Sequence, residues 1–169
     1  MTTIVREIWI DAPRQEVWEK AMVDFGNISI WNPNVPSSYS TNNIKEGLGA
    51  ERHCDLTLAG ASVEERVTKW DDGRMMEVLI TDGQKTPPWK NPKALIELFD
   101  ERGGTRMRMT FSYGMKLGPI GWLMDIMMVK PQFGKAIEAL PAGLKHYMET
   151  GQKGTAKEID FSQVVAVAA

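Results

Sequence analysis

From Thr105 to Lys116 the chain alternates in character: Met107, Met109, Phe111 and Tyr113 are apolar, and the residues between them are mostly polar. A period of two puts the two sets on opposite faces of a β-strand. The same reading gives strands over Ile4–Ile10, Val35–Thr41, Ala50–Leu58, Ser62–Trp70, Met75–Asp82 and Ala94–Glu101. Turn chemistry separates them: Gly47/Gly49, Ala59-Gly60-Ala61, Asp71-Asp72-Gly73, Asp82-Gly83 through Pro92, and Arg102-Gly103-Gly104. Short strands joined by tight turns predict an antiparallel meander, and no strand–helix–strand alternation points to a parallel sheet.

Two stretches break the period. Asp11-Ala12-Pro13 opens a helix that Val17, Trp18, Ala21, Met22 and Phe25 continue, and Ile28 to Trp31 makes a second short one before Asn32-Pro33-Asn34. Pro13 sits near the first turn, where its missing N–H costs little. From Gly118 to Gly151, apolar residues at Ile126, Val129, Phe133, Ile137, Leu140, Leu144 and Met148 recur every three or four positions, the face of a long amphipathic helix. Pro131 and Pro141 should bend or break it. The fold class is therefore α+β, with one long helix covering a curved antiparallel sheet. A sheet that curls around one helix leaves its interior hard to fill, so a cavity is expected between them. Residues 1–151 read as one domain. The tail, 152–169, has a polar linker and an apolar, β-prone end that either frays or adds to an edge.

The 169 residues fit a single domain, 43% hydrophobic and 25% charged. A net charge of −2 with no basic run disfavours nucleic acid as a partner. No apolar run approaches the ~20 residues of a membrane span, so stable membrane insertion is not expected. Arg6, Glu7 and Asp11 interrupt any signal-peptide core. One cysteine allows no internal disulfide, and the reading is a cytoplasmic protein. Two histidines and one cysteine have no metal-ligand spacing, so neither a metal nor a cofactor is called for. Oligomeric state is not written in these patterns.

Three segments carry a family resemblance: Ile10 to Trp18 with Asp24-Phe25 and Trp31-Asn32-Pro33; Val63 to Asp71; and Leu144 to Gly151. Over roughly residues 3–151 the chain resembles the helix-grip proteins of the START/Bet v 1-like (SRPBCC) superfamily, in its polyketide cyclase/dehydrase-like branch. The resemblance implies a seven-stranded antiparallel sheet gripping the last helix, two short helices after the first strand, and a pocket for a hydrophobic molecule such as a lipid, quinone or polyketide. Carriers, sensors and some enzymes share this fold, so fold alone does not assign function.

Alternation selects the residues that would line such a pocket: Cys54 and Leu56, Met76, Val78 and Ile80, and Met109, Phe111 and Tyr113 on the strands, with Phe133, Ile137 and Leu140 on the helix. The resemblance favours the Val63, Glu65, Val67, Lys69 face of its strand inward. On Ala94–Glu101 the inward pair is Leu95 or Ile96 with Leu98 or Phe99. The plain alternative is a solid core at each of these positions. Eleven methionines favour a surface that accepts varied apolar shapes. Glu65 is the sharpest polar candidate. Inside an apolar pocket it needs a partner, for which Lys69 is the same-face neighbour, and it would serve as ligand anchor or general acid. If the register slips by one, it is merely solvated. Tyr113 is a second weak catalytic candidate. His53 and Asp55 fall on the outward face, and Cys54 reads as a small buried hydrophobe. The Gly83–Pro92 segment, stiffened by three prolines with Trp89 at an apolar tip, is either a gate at the pocket mouth or an ordinary hairpin loop. The leading function is a carrier or sensor of a hydrophobic small molecule. The alternatives are a cyclase or dehydratase using acid–base groups, and a protein-interaction module.

Overall fold

In the computed structural model, which describes residues 1–57, 60–116, 118–124 and 130–168, every strand belongs to one antiparallel sheet. Its strands are β1 Thr2–Ile10, β2 Ser37–Ser40, β3 Glu51–Asp55, β4 Ser62–Asp71, β5 Met75–Gln84, β6 Trp89–Glu101, β7 Gly104–Met115 and β8 Val165–Val167. Their order is β2-β3-β4-β5-β6-β7-β1-β8. Helix α1, Arg14–Ala21, and a 3₁₀ segment, Phe25–Ile30, follow β1, and helices α2, Gly118–Met124, and α3, Lys130–Thr150, follow β7.

The strand count is eight rather than the expected seven. The extra strand comes from the tail, where Val165, Ala166 and Val167 pair with Glu7, Arg6 and Val5. An edge strand presents unpaired backbone N–H and C=O groups, and β8 covers part of that row on β1. Between helix and tail strand, Ile159 is buried and Lys153 donates from Nζ to the Val35 carbonyl at 2.8 Å.

Sequence dictates each attachment. Val17, Trp18 and Ala21 form the buried stripe of α1, and Trp18 donates from Nε1 to Asp72 Oδ1 at 2.9 Å, fixing α1 to the β4–β5 turn. Pro131 does not break α3 within its described range, Lys130–Thr150, and residues 125–129 lie outside the described residues. Pro141 lies inside the helix, which continues past it. Two residues later, a Cβ on Gly143 would sit 2.5 Å from Pro33 Cδ and 3.0 Å from the Trp31 carbonyl, so only glycine lets the Trp31–Pro33 corner approach α3 this closely. Toward its other end, α3 is tied to β1: Arg6 Nε meets Glu138 Oε1 at 3.0 Å, and both side chains are largely buried. On the outer face, Arg106 and Arg108 both reach Glu7, at 2.9 and 2.5 Å, and Arg106 lies over the Phe99 ring.

Candidate functional site

The inner face of the sheet is built by alternation on five consecutive strands. Cys54 on β3, Val63 and Val67 on β4, Met76 and Val78 on β5, Ile96 and Leu98 on β6, and Met107, Met109, Phe111 and Tyr113 on β7 are all buried. Leu56 and Ile80 are partly buried against them. On β6 the two open alternatives resolve to Ile96 and Leu98. Phe99 packs instead with the outer-face arginines. From α3, Ile137 and Leu144 are buried and Leu140 is partly buried against the same cluster. The side chain of Phe133, like residue Leu58, lies outside the described residues. Of the sheet strands, β1 is where the α3 backbone approaches most closely.

Glu65 alternates inward with Val63 and Val67, and its partner is not Lys69. A register shift between Val67 and Lys69 inserts a β-bulge, which reverses the faces beyond it. Trp70 therefore returns inward and packs edge-on against Trp18 at 4.7 Å. Lys69 turns outward to Glu77, Nζ to Oε2 at 3.1 Å. Burial pushes the Glu77 carboxyl up, but hydrogen bonds from Lys69 and Thr68 outweigh it and hold the group below its ordinary value.

What meets Glu65 is Arg52, directly opposite on β3. The Nε–Oε2 distance is 2.5 Å, with side-chain exposures of 6% and 15%. Arg52 also donates from Nη1 to the Phe25 carbonyl at 2.9 Å, and its guanidinium lies 4.0 Å above the Phe25 ring. Cys54 Sγ lies 3.7 Å from the same carboxylate oxygen. Burial, with the Glu65 charge beside it, pushes the Cys54 thiol far above its ordinary value, so this cysteine supplies no thiolate nucleophile at neutral pH. The Arg52 signal was present in the sequence, since Arg52 shares a face with Cys54 and Leu56. What was missing was the hairpin register that sets it against Glu65. The second inward ion pair, Arg6–Glu138, also went unread, because it joins residues 132 positions apart.

The Gly83–Pro92 segment is not a long loop. β5 runs to Gln84 and β6 begins at Trp89, leaving a hairpin loop of residues 85–88. Trp89 is no exposed tip. It is buried, with ring centroids 5.9 Å from Phe111 and 6.1 Å from Tyr113, which are 5.6 Å from each other. These three rings form an aromatic wall at the end where β7 leads into α2.

His53 and Asp55 lie on the outer face, as alternation requires. There His53 Nδ1 meets Glu64 at 2.5 Å, Nε2 meets Asp55 at 3.2 Å, and the ring stacks on Tyr39. The hydrogen bond to Glu64, foremost, raises the imidazole above its usual value despite partial burial. Among the described residues, no three His, Cys, Asp or Glu side chains are placed to hold a metal. A separate open groove of about 490 Å³ is lined by Arg14, Arg74, Glu97, Phe99 and Asp100 among others, and of the pocket candidates weighed from the sequence it touches Leu98 and Phe99.

This architecture has known counterparts. The family described as polyketide cyclase / dehydrase and lipid transport matches residues 1–149. The chain belongs to this family. No curated protein sequence matches it. Among solved structures, TTHA0849 from Thermus thermophilus is 20% identical with a TM-score of 0.72, covering 89% of this chain and 99% of that one. Ara h 8.0201 is 14% identical with a TM-score of 0.71, covering 88% and 98%. A START superfamily protein from Mycobacterium smegmatis is 15% identical with a TM-score of 0.68, covering 89% and 99%. At these identities the likeness is one of fold. The family match ends at residue 149, so β8 and the segment leading to it fall outside the matched region. No described helix is long and apolar enough to cross a membrane.

Proposed function

We propose that this cytoplasmic protein binds a hydrophobic small molecule between the inner sheet face and α3, as a carrier or sensor. The ligand class is a lipid, quinone or polyketide-like molecule that is largely apolar and carries an oxygen acceptor. The lining runs from Cys54 through Val63, Val67, Met76 and Val78 to Met109, Phe111, Tyr113 and Trp89, closed by Ile137 and Leu140. The observation that carries the reading is a broad apolar inner face interrupted on the β3–β4 wall by one paired charge, Arg52–Glu65. Sites of this class combine a mostly apolar wall with a few placed polar groups. Arg52 holds Glu65 through Nε and the Phe25 carbonyl through Nη1, which fixes its guanidinium on this wall.

A carrier fits better than a cyclase or dehydratase. Glu65 is engaged as an ion-pair acceptor, an anchor's role. Lys69 faces away. Glu65 on β4 and Tyr113 on β7 are not neighbours in the sheet, since β5 and β6 lie between their strands.

Extraction of the purified protein with organic solvent, followed by mass spectrometry, tests the reading, together with titration by an environment-sensitive apolar fluorophore. A co-purified apolar molecule, or saturable fluorophore uptake weakened by Val67→Trp, is the expected result. Absence of both sinks the proposal.

A further inference from the structure

We infer that α2, with the lysines beside it, is a docking surface for an anionic lipid bilayer. The inference rests on the hydrophobic-ligand reading for its purpose but on separate residues for its evidence. Helix α2 reads Gly-Pro-Ile-Gly-Trp-Leu-Met, with no polar side chain in seven residues. It is not folded away: Ile120 is 69% exposed and Leu123 is 52% exposed, among the most exposed large apolar residues described. A helix this short cannot cross a bilayer, but an apolar helix at the surface can lie in the headgroup–acyl boundary.

Charge complementarity selects the partner. The Lys116 N–H donates to the Pro88 carbonyl at 2.9 Å, which sets the entrance of α2 beside the β5–β6 hairpin. Lys85 in that hairpin, Lys90 at the start of β6 and Lys116 before α2 are all exposed. The stretches Gly83–Lys93 and Tyr113–Met124 contain four lysines and no acid, in a chain whose net charge is −2. Of the four, Lys93 is turned to Glu77 on the outer face. The acids that flank these stretches are Asp82, whose Oδ1 accepts from the Gly83 N–H, and Asp125, next after Met124 in the sequence. A local basic collar around an exposed apolar helix, on an otherwise acidic protein, matches headgroups that are anionic and an interior that is not. It also places the bilayer at the end of the sheet where Trp89, Phe111 and Tyr113 form their wall.

Flotation of the full chain with vesicles of phosphatidylcholine plus phosphatidylglycerol, and with pure phosphatidylcholine vesicles, is the test. Wild type should float with the anionic vesicles and partition far less onto the neutral ones. The Lys85→Gln, Lys90→Gln, Lys116→Gln triple variant should lose on the order of a hundredfold in partitioning. Ile120→Glu with Leu123→Glu should leave the protein in the soluble fraction. If that pair lowers the melting temperature, Ile120→Ser with Leu123→Ser replaces it. No flotation of wild type overturns the inference, as does flotation that survives loss of Ile120 and Leu123. So does a wild-type dimer that these substitutions split while no flotation occurs, because the surface would then pair two copies. Apolar-fluorophore uptake without vesicles, read on the same samples, separates the two readings. Uptake retained while flotation is lost supports docking, whereas flotation without uptake removes the ligand reading and leaves the docking surface standing.

Discussion

Replacing Glu65 by leucine removes the one anionic partner of Arg52 among the described residues and leaves a guanidinium that is 6% exposed. What remains to it is the Phe25 carbonyl at 2.9 Å and the Phe25 ring at 4.0 Å. Breaking a buried ion pair by deleting one partner costs about 3–5 kcal/mol, because the orphaned charge keeps its desolvation penalty. For a chain of this size each kcal/mol moves the melting temperature by about 2–4 °C, so Glu65→Leu should melt roughly 6–20 °C below wild type. The double variant Arg52→Met with Glu65→Leu removes the orphan as well. It should recover most of the loss, since apolar replacement of a whole buried pair is often neutral or stabilising. Calorimetry or circular dichroism on the two single variants and the double completes the cycle. A Glu65→Leu melt within about 2 °C of wild type would place the pair in the range of exposed ion pairs, about 0–1 kcal/mol. Arg52 would then be solvated, and it could not serve as the polar anchor of an apolar site.

His53 makes stability depend on pH. Its folded-state pKa is raised, so its contribution is complete below the unfolded value near 6.5 and is lost as pH rises through the folded value. Urea midpoints of wild type should therefore fall on passing from mildly acidic to alkaline buffer, and His53→Gln should flatten that fall; an unchanged slope refutes the assignment. Gly143→Ala forces a methyl against Pro33 and the Trp31 carbonyl and should cost about 1–3 kcal/mol by denaturant titration. Truncation after Gly151 removes β8 and the buried Ile159, whose burial is worth roughly 1.5–3 kcal/mol, and bares the outer edge of β1. Light scattering should then show more self-association than in the full chain, and a truncated protein that associates no more than the full chain contradicts the edge-covering role.

The elements were legible where one face is buried and the other wet. Met107, Met109, Phe111 and Tyr113 announced β7 and its inward face without ambiguity, because a slip of one residue would have exposed all four. The trouble lay where the period is broken by something the sequence does not mark. Val67-Thr68-Lys69-Trp70 reads as unbroken alternation, yet the bulge there sends Lys69 out and Trp70 in. Gly83 to Pro92 reads as loop because three prolines follow the Asp82-Gly83 turn signal. Both flanks still pair, and Asn91 at φ 50° sits at the irregularity that lets β6 resume beyond Lys90. The tail was underread for a different reason. Three apolar residues carry no periodic signal, and only the open edge of β1 gives them somewhere to go.

The positions of the two inward ion pairs bear on how the proposed guest would be accommodated between the sheet and α3. Arg6–Glu138 ties α3 to β1, toward one edge of the sheet, while Arg52–Glu65 lies on β3 and β4, near the other. A helix tethered to one flank cannot also lie flat on the far flank of a curved sheet. The inner surface of β4, β5 and β6 must then be covered by side chains long enough to reach, or by something that is not protein. The residues there mix short side chains, Val63, Val67, Val78 and Ala94, with longer ones, Met76, Ile80, Ile96 and Leu98. Met76, with Met107 and Met109, brings unbranched thioethers that can repack around guests of different shape. Such a wall discriminates weakly among apolar bodies. On the proposed ligand-binding reading, selectivity would come from the charged pair on β3 and β4, and Arg52, rather than any lining hydrophobe, is the residue expected to set it.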